Sequence, residues 1–436
     1  MRYAEFLERK AREVEPLGVE VTASDVNHWL HDWQREIVAW AVAKGRAAIW
    51  ADTGLGKTAM QLEWLRLSIG DGLGLIVAPL AVCQQTVREA RKLGIEATYT
   101  REMPSAPGVY VTNYEMIEHF DAGAIDAVVL DESSILKQSD GKTRTRLIKH
   151  FGPVSRRLAC TATPAPNDPE ELTNHAEFLG VSTRTEMLAA YFVHDQDGWR
   201  MKGHARRPMF RWMASWAVAL RRPSDMGYDD EGYILPELHI HTHLIDVNVV
   251  PEGQLFASDL GGVGGRAAVR KATVHDRCEH AAQIVNSEPG ESWIVWCGLN
   301  DEAALMARLI PGAVNVHGGW TPEDKADAML RFADGDIRVI VTKPSIASFG
   351  LNWQHCARMV FVGLSDSYET YYQSIRRCYR YGQTREVQAH VVLTAVESQI
   401  AANVSRKQTS AADMTAGLVA ALNEQRKEST WQLTSM

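Results

Sequence analysis

The stretch Ala51-Asp52-Thr53-Gly54-Leu55-Gly56-Lys57-Thr58 decides how the rest of the chain is read. An apolar run, Ala47–Trp50, precedes it, and a segment with helical character, Lys57–Ile69, follows. Gly54 and Gly56 let the backbone turn its N–H groups toward an anion, and the start of the following helix adds the positive end of its dipole. Thr53, Gly54, Leu55, Gly56, Lys57 and Thr58 are therefore candidate nucleotide-binding residues. The Lys57 ammonium suits the β- and γ-phosphates, and the Thr58 hydroxyl suits Mg²⁺. A glycine usually opens such a loop; here that place is taken by Ala51.

Downstream, Val128-Val129-Leu130-Asp131-Glu132 is an apolar strand ending in two acids. A strand-end Asp131 is placed to hold Mg²⁺, directly or through water, and Glu132 to polarise an attacking water. A phosphate loop followed by such a pair points to Mg²⁺-assisted nucleoside triphosphate hydrolysis.

Working outward, apolar runs alternate with amphipathic segments. Strands are expected at Leu73–Ala78, Val109–Thr112, Ala127–Leu130 and Arg157–Cys160, with helices at Leu30–Ala43, Ala81–Leu93, Lys142–His150 and Pro169–Leu179. A second alternating region has strands at Trp293–Cys297, Ala313–Val316, Arg338–Thr342, Met359–Val362 and Gln388–Leu393. Its helices are expected at Asp301–Leu309, Pro322–Phe332 and Tyr368–Tyr379. Strands alternating with helices imply parallel sheets covered on both faces. The expected organisation is an α/β lobe at 1–185, an irregular basic segment and linker at 186–265, a second α/β lobe at 266–410 and a helix with a tail at 411–436. Gly261–Gly265 reads as a flexible loop, since no Lys-Ser/Thr follows it to open a helix.

Composition narrows the partners. The 436 residues carry 46 Lys+Arg against 54 Asp+Glu, a net charge of −8. That balance argues against coating DNA by bulk positive charge, so nucleic acid would need a local basic surface. Hydrophobic residues make up 45% and charged residues 23%, which excludes wholesale disorder. No apolar run approaches the roughly 18 residues that span a bilayer, and Met1–Lys10 has no apolar signal-peptide core, so no membrane partner and a cytoplasmic location are expected. The six cysteines form no C-x-x-C pair, which speaks against a zinc knuckle or a disulfide framework.

Residues 199–224 concentrate positive charge: Arg200, Lys202, Arg206, Arg207, Arg211, Arg221 and Arg222, with no Asp or Glu. Trp199, Phe210, Trp212 and Trp216 are interleaved. Basic residues grip phosphates and aromatics stack on bases, so Arg206 and Arg207 are candidate nucleic-acid contacts. The competing reading is a core stripe of Phe210, Met213 and Ala217 with arginines on the wet face. His239, His241 and His243 alternate along one strand face; three imidazoles can bind a metal, but no further Cys or carboxylate ligand is placed by sequence. Leu30, Trp33, Ile37 and Ala41 form a helical stripe, which assigns Trp33 to the core, with Gln34 projecting beside it.

The most specific segment is Gln373-Ser374-Ile375-Arg376-Arg377-Cys378-Tyr379-Arg380-Tyr381-Gly382-Gln383. On a helix Arg377 and Arg380, at i and i+3, would share a face and clamp a phosphoryl group. This stretch resembles the sixth motif of the Swi/Snf-type ATPases of helicase superfamily 2. Other segments follow in family order: Leu30–Gln34 resembles the adenine-reading Gln motif, Ala51–Thr58 motif I and Val77–Pro79 motif Ia. Asp131-Glu132-Ser133-Ser134 stands for D-E-x-H, and Leu158–Asn167 is similar to motif III. Leu220–Arg222 with Leu235-Pro236, His317-Gly318 with Phe332, and Ser348–Asn352 (motif V) complete the series.

The resemblance implies two RecA-like lobes, ATP with Mg²⁺, and nucleic acid bound across both lobes, most simply double-stranded DNA. It adds Gly350 and Gln373 to the nucleotide contacts, and makes Lys57, Glu132, Arg377 and Arg380 the catalytic set, with Thr58 and Asp131 on the metal. It points to Pro79, Leu80, the Tyr114 region, Thr161 and Ala162 as strand holders in the first lobe, and to Lys343, Ser345 and Asn352 in the second. Ser134 stands where the family has His, and Ala347 and Ser348 where it has glycines. Without the long insertions of chromatin remodellers, a compact bacterial or phage translocase is expected. The alternatives are a motor subunit beside replication, recombination or restriction proteins, an unwinding or RNA-directed helicase, and an ATP-gated clamp that does not hydrolyse.

Overall fold

The structure is a computed structural model that describes residues 16–137, 141–196, 198–245, 269–347, 352–365 and 367–428. The Gly261–Gly265 loop and the stretch 348–351, Gly350 included, lie outside the described residues. The chain divides into two compact units: Met1–Asp230 with Thr409–Met436, and Glu231–Gln408.

In chain order the first unit contains α1 (Asp32–Lys44), β1 (Arg46–Ala51), α2 (Lys57–Ile69), β2 (Leu73–Ala78), α3 (Leu80–Lys92), β3 (Ala97–Tyr99), β4 (Gly108–Asn113) and β5 (Ala127–Asp131). It continues with α4 (Lys142–His150), β6 (Arg156–Cys160), α5 (Leu172–Leu179), α6 (Arg184–Tyr191), β7 (Phe192–Asp195), β8 (Gly198–Met201), α7 (Arg206–Met213) and β9 (Ala217–Leu220). The strands order as β3-β4-β2-β5-β6-β1-β9, and every pair is parallel. β2 and β5 are buried at every residue, as strands covered by helices on both faces must be. The order sets the chemistry: β6 lies between β1 and β5, so the carboxyl ends of β1 and β5 stand about 10 Å apart.

The second unit holds β10 (Leu238–Ile245), α8 (Val274–Ser287), β11 (Trp293–Cys297), α9 (Asn300–Leu309), β12 (Val314–Val316), α10 (Pro322–Ala333), β13 (Val339–Thr342) and α11 (Pro344–Ala347). β14 (Arg358–Val362), α12 (Tyr368–Ile375), β15 (Val387–Thr394) and α13 (Ser398–Glu428) follow, the last grouped with the first unit from Thr409 onward. Its parallel sheet runs β10-β15-β14-β11-β13-β12. Alternate residues of the central strands (Trp293, Val295, Val341, Val360) pack against Cys278, Ala281 and Val285 of α8 and Met306 of α9. Each unit thus has the parallel, helix-flanked sheet expected of a RecA-like lobe.

Three expectations are corrected. The stretch 186–230, read as an irregular linker, is structured and belongs to the first unit. There β7 and β8 form a hairpin and β9 pairs with β1 from Ala48↔Ala217 to Ala51↔Leu220. Ala217-Val218-Ala219-Leu220 is buried throughout, but a run of that length between basic residues shows no strand alternation. The C-terminal helix starts at Ser398 rather than 411. The helix expected over Tyr368–Tyr379 ends at Ile375. Beyond it the amides of Arg377 and Cys378 bond to Ser374 and Ile375, three residues back, which tightens the chain into turns. Among the described residues no helix is long and apolar enough to cross a membrane.

Candidate functional site

The phosphate loop joins β1 to α2 as the sequence predicts. Gly54 and Gly56 have φ of +91° and +73°, a region closed to most side chains. A Cβ at Gly56 would lie 2.4 Å from Gln34 Nε2. Gln34 is fixed at both ends of its amide: Nε2 donates to Leu55 O at 3.0 Å, and Oε1 accepts from the His31 amide at 2.9 Å. Trp33 is buried in the core. Lys57 Nζ folds onto the loop's own carbonyls, donating to Ala51 O at 2.7 Å and Asp52 O at 3.1 Å. Burial lowers its pKa, opposed by the charges of Glu132, Asp52 and Asp131. Thr53 donates its amide to Asp52 Oδ1, Leu55 is buried, and Thr58 is half-buried in the first turn of α2.

Asp131 ends β5. Its Oδ1 accepts from Gln61 Nε2 at 2.8 Å. Burial pushes its carboxyl up to about 6; the Gln61 bond and Lys57 pull it down, and Glu132 pushes it further up. Gln61 Oε1 is buried with no hydrogen-bond partner, an acceptor beside a carboxylate that suits a hydrated cation. Tyr114, named as a strand holder, is buried and donates to Asp131 O at 2.6 Å.

Glu132 has φ +62° and ψ +53°, a left-handed conformation that no other non-glycine residue adopts among the described residues. Such strain costs on the order of 1–3 kcal/mol and concentrates at functional sites. Glu132 Oε1 accepts from Thr161 Oγ1 at 2.7 Å and from Ser134 Oγ at 3.2 Å. Thr161, also named as a strand holder, is fully buried and serves Glu132, while Ala162 beside it is half-buried. Burial lowers the His175 pKa to about 4, so its ring is neutral. Its Nε2–H donates to Pro164 O at 2.9 Å, which leaves Nδ1 to accept from Ser133 Oγ at 3.4 Å.

In the second unit the arginine segment is a turn, not a helix face. Arg377 is buried, with Nε donating to Gln373 O at 3.3 Å and its carbonyl accepting from the Trp353 amide at 3.0 Å. Gln383 pins the turn by donating to Cys356 O at 3.0 Å and Cys378 O at 3.2 Å. Burial and the neighbouring Arg376 lower the Arg380 pKa. At the carboxyl ends of β11, β13 and β14 a cavity of about 180 Å³ is lined by Arg270, Trp296, Gly298, Lys343, Ser345 and Tyr371 among others.

Two protein families match the chain: the SNF2-related domain over residues 27–192, and the helicase conserved C-terminal domain over residues 276–382. The chain belongs to the Swi/Snf-type, helicase-like ATPases of superfamily 2. No curated protein matches it significantly.

Within this Swi/Snf-type chain the remaining nucleic-acid candidates are divided between the two units. Pro79 and the exposed Leu80 begin α3 at the carboxyl end of β2, Lys343 lines the second unit's cavity, and Asn352 is exposed. Four of the seven basic residues of the segment pair with carboxylates, and two more bond to backbone carbonyls. Arg200 pairs with Asp195 and Lys202 bonds to the carbonyls of Ala189 and Ala190. Arg206 donates to Asp413 O and Arg207 pairs with Glu424, both on α13, while Arg221 and Arg222 pair with Asp225 and Asp230. Phe210, Trp212 and Trp216 are buried, so the core-stripe reading holds for these aromatics; Trp199 is exposed. Sequence reasoning missed Gln61 and the Thr161–Glu132 bond. Gln61 follows Lys57 at i+4 on α2, a spacing that puts both on one helix face and could have found it.

Proposed function

We propose that this superfamily 2 ATPase moves on double-stranded DNA by hydrolysing ATP. The observation that carries the reading is the cluster at the carboxyl ends of β1, β5 and β6: Lys57 lies in the field of Asp131 and Glu132, and the Thr161 hydroxyl bonds to Glu132. The donor set fits a Mg²⁺–nucleotide. Gly54 and Gly56 turn the loop at positive φ without side chains, Thr58 and Asp131 are hard oxygen ligands, and Gln61 offers an unused acceptor. Bound there, the cation neutralises developing phosphate charge.

In this reading Lys57 leaves its loop carbonyls for the terminal phosphates, and Gln34 reads the base. Glu132 takes the proton of the attacking water, held in place by Thr161. By family resemblance Gln373, Arg377, Arg380 and Gly350 are assigned as further nucleotide contacts. Pro79, Leu80, Lys343 and Asn352 hold the DNA backbone without reading sequence, as a translocase requires.

The test is the ATP turnover rate with no polymer, single-stranded DNA, double-stranded DNA and RNA. Stimulation by double-stranded DNA without strand displacement is expected; stimulation by RNA alone overturns the substrate assignment. A Glu132→Gln chain that keeps its DNA-dependent function without turnover would make it an ATP-gated clamp instead.

A further inference from the structure

The alternating histidines of β10 do not act as one set. β10 pairs in parallel with β15 at the edge of the second unit's sheet, bringing His241 opposite His390. His243 bonds through Nε2 to His390 Nδ1 at 3.0 Å and through Nδ1 to His280 Nε2 at 3.2 Å. Both nitrogens of His243 are therefore engaged by other imidazoles.

His239, at the other end of the same strand face, has different company. Its Nε2 lies 3.6 Å from Glu237 Oε2 and 3.4 Å from Glu386 Oε2. Among the described residues, Glu237, His239 and Glu386 bring one ligand atom each within 4.8 Å of one another. Ligands at roughly 2.0–2.2 Å from one ion stand about 3.0–3.5 Å apart, so the observed spacing needs little movement. The His241 ring stacks beside His239 at 6.4 Å, but its Nε2 is held by Gln388 Oε1 at 2.7 Å and it stands outside the ligand set. The site is tied to the backbone, because the Val387 amide donates to Glu237 O at 3.0 Å.

We propose that Glu237, His239 and Glu386 form a binding site for a divalent transition metal of the Zn²⁺ class. Two carboxylates match the charge of the ion, and the imidazole selects it over Mg²⁺, which prefers oxygen. The ion bridges the residue before β10 to the residue before β15, and so pins the edge strand of the sheet. This site is independent of the nucleotide reading, since none of its residues belongs to the candidate ATP site.

The test is equilibrium dialysis of the full chain against ZnCl₂ with Mg²⁺ in large excess, paired with thermal melts. One Zn²⁺ per chain that Mg²⁺ does not displace, and a Zn²⁺-dependent rise in Tm, are expected. His239→Ala, and Glu237→Gln with Glu386→Gln, should each weaken Zn²⁺ binding at least about tenfold and abolish the Tm rise. His243→Ala should bind as the parent does. No Zn²⁺ retained by the parent chain overturns the proposal, as does binding that survives His239→Ala but is lost in His243→Ala.

Discussion

The Thr161 hydroxyl, at the end of β6, donates a 2.7 Å hydrogen bond to Glu132 Oε1, at the end of β5. Because β5 and β6 are neighbours, this bond fixes a side chain whose backbone sits in left-handed space and would otherwise be poorly held. Glu132→Gln is expected to lower kcat by about 10²–10⁴-fold while ATP still binds. Thr161→Val keeps the shape and removes the bond that positions the base, so kcat should fall about tenfold with KM for ATP little changed. A change confined to KM in a steady-state ATPase assay would remove Thr161 from this role.

Asp131 makes the protein pH-sensitive in an unusual direction. Burial raises its carboxyl from 3.8 to about 6, so between those values the folded chain holds a proton that the unfolded chain has lost. This contribution to stability is full below about pH 4, falls as pH rises toward 6 and stays lost above it. A rise of that size corresponds to about 3 kcal/mol. Asp131→Asn should therefore raise Tm at pH 7.5, with the gain vanishing near pH 4. The same protonation should weaken Mg²⁺ binding below pH 6, a loss readable by titration with Mg²⁺ at pH 5 and pH 7.

Features encoded within a few residues were legible in the sequence; those requiring strand order or remote partners were not. The turn from Ala51 to Thr58 and the acids closing β5 are local, and the parallel fold follows from the alternation around them. The Thr161–Glu132 bond depends on β5 lying beside β6, and periodicity fixes no such adjacency. The segment 199–224 looked like an exposed cationic surface because its counterions Asp195, Asp225, Asp230 and Glu424 all lie outside it. Arg377 and Arg380 looked helical by spacing, yet tighter hydrogen bonding ends α12 at Ile375. His239 lacked a ligand set in sequence because Glu386 reaches it only through the pairing of β10 with β15.

The second unit contains a fully buried ion pair, Arg277 with Glu302, at 2.7 Å. Glu302 also accepts from the amides of Gly298 and Leu299 at 2.8 and 2.9 Å, closing the turn from β11 into α9. Glu302→Ala removes the closer carboxylate and leaves the buried Arg277 charge only Glu397, at 4.0 Å, which should cost up to about 3–5 kcal/mol. Chemical denaturation should show that loss, with a much smaller one for Arg338→Ala, whose guanidinium makes a long bond to Glu291 O at 3.4 Å.

The contacts of α13 with α7 separate the two readings of the basic segment. α13 packs its Gly417 against Phe210 so closely that a Cβ would lie 2.5 Å from the ring. Gly417→Ala gains up to about 1 kcal/mol of helix propensity. The overpacking of a core aromatic costs about 1–3 kcal/mol, so the net change should be destabilising. Arg206 and Arg207 hold the same helix through Asp413 O and Glu424. Arg206→Glu combined with Arg207→Glu sets a carboxylate at position 207 against Glu424, and should lower Tm by an amount that Glu424→Lys recovers in part. If instead these arginines grip DNA, the double reversal lowers DNA-stimulated turnover at an unchanged Tm and spares the basal rate. The exposed Arg207 pair is worth at most about 1 kcal/mol, so the Arg206 bond and the repulsion on reversal must supply most of the shift.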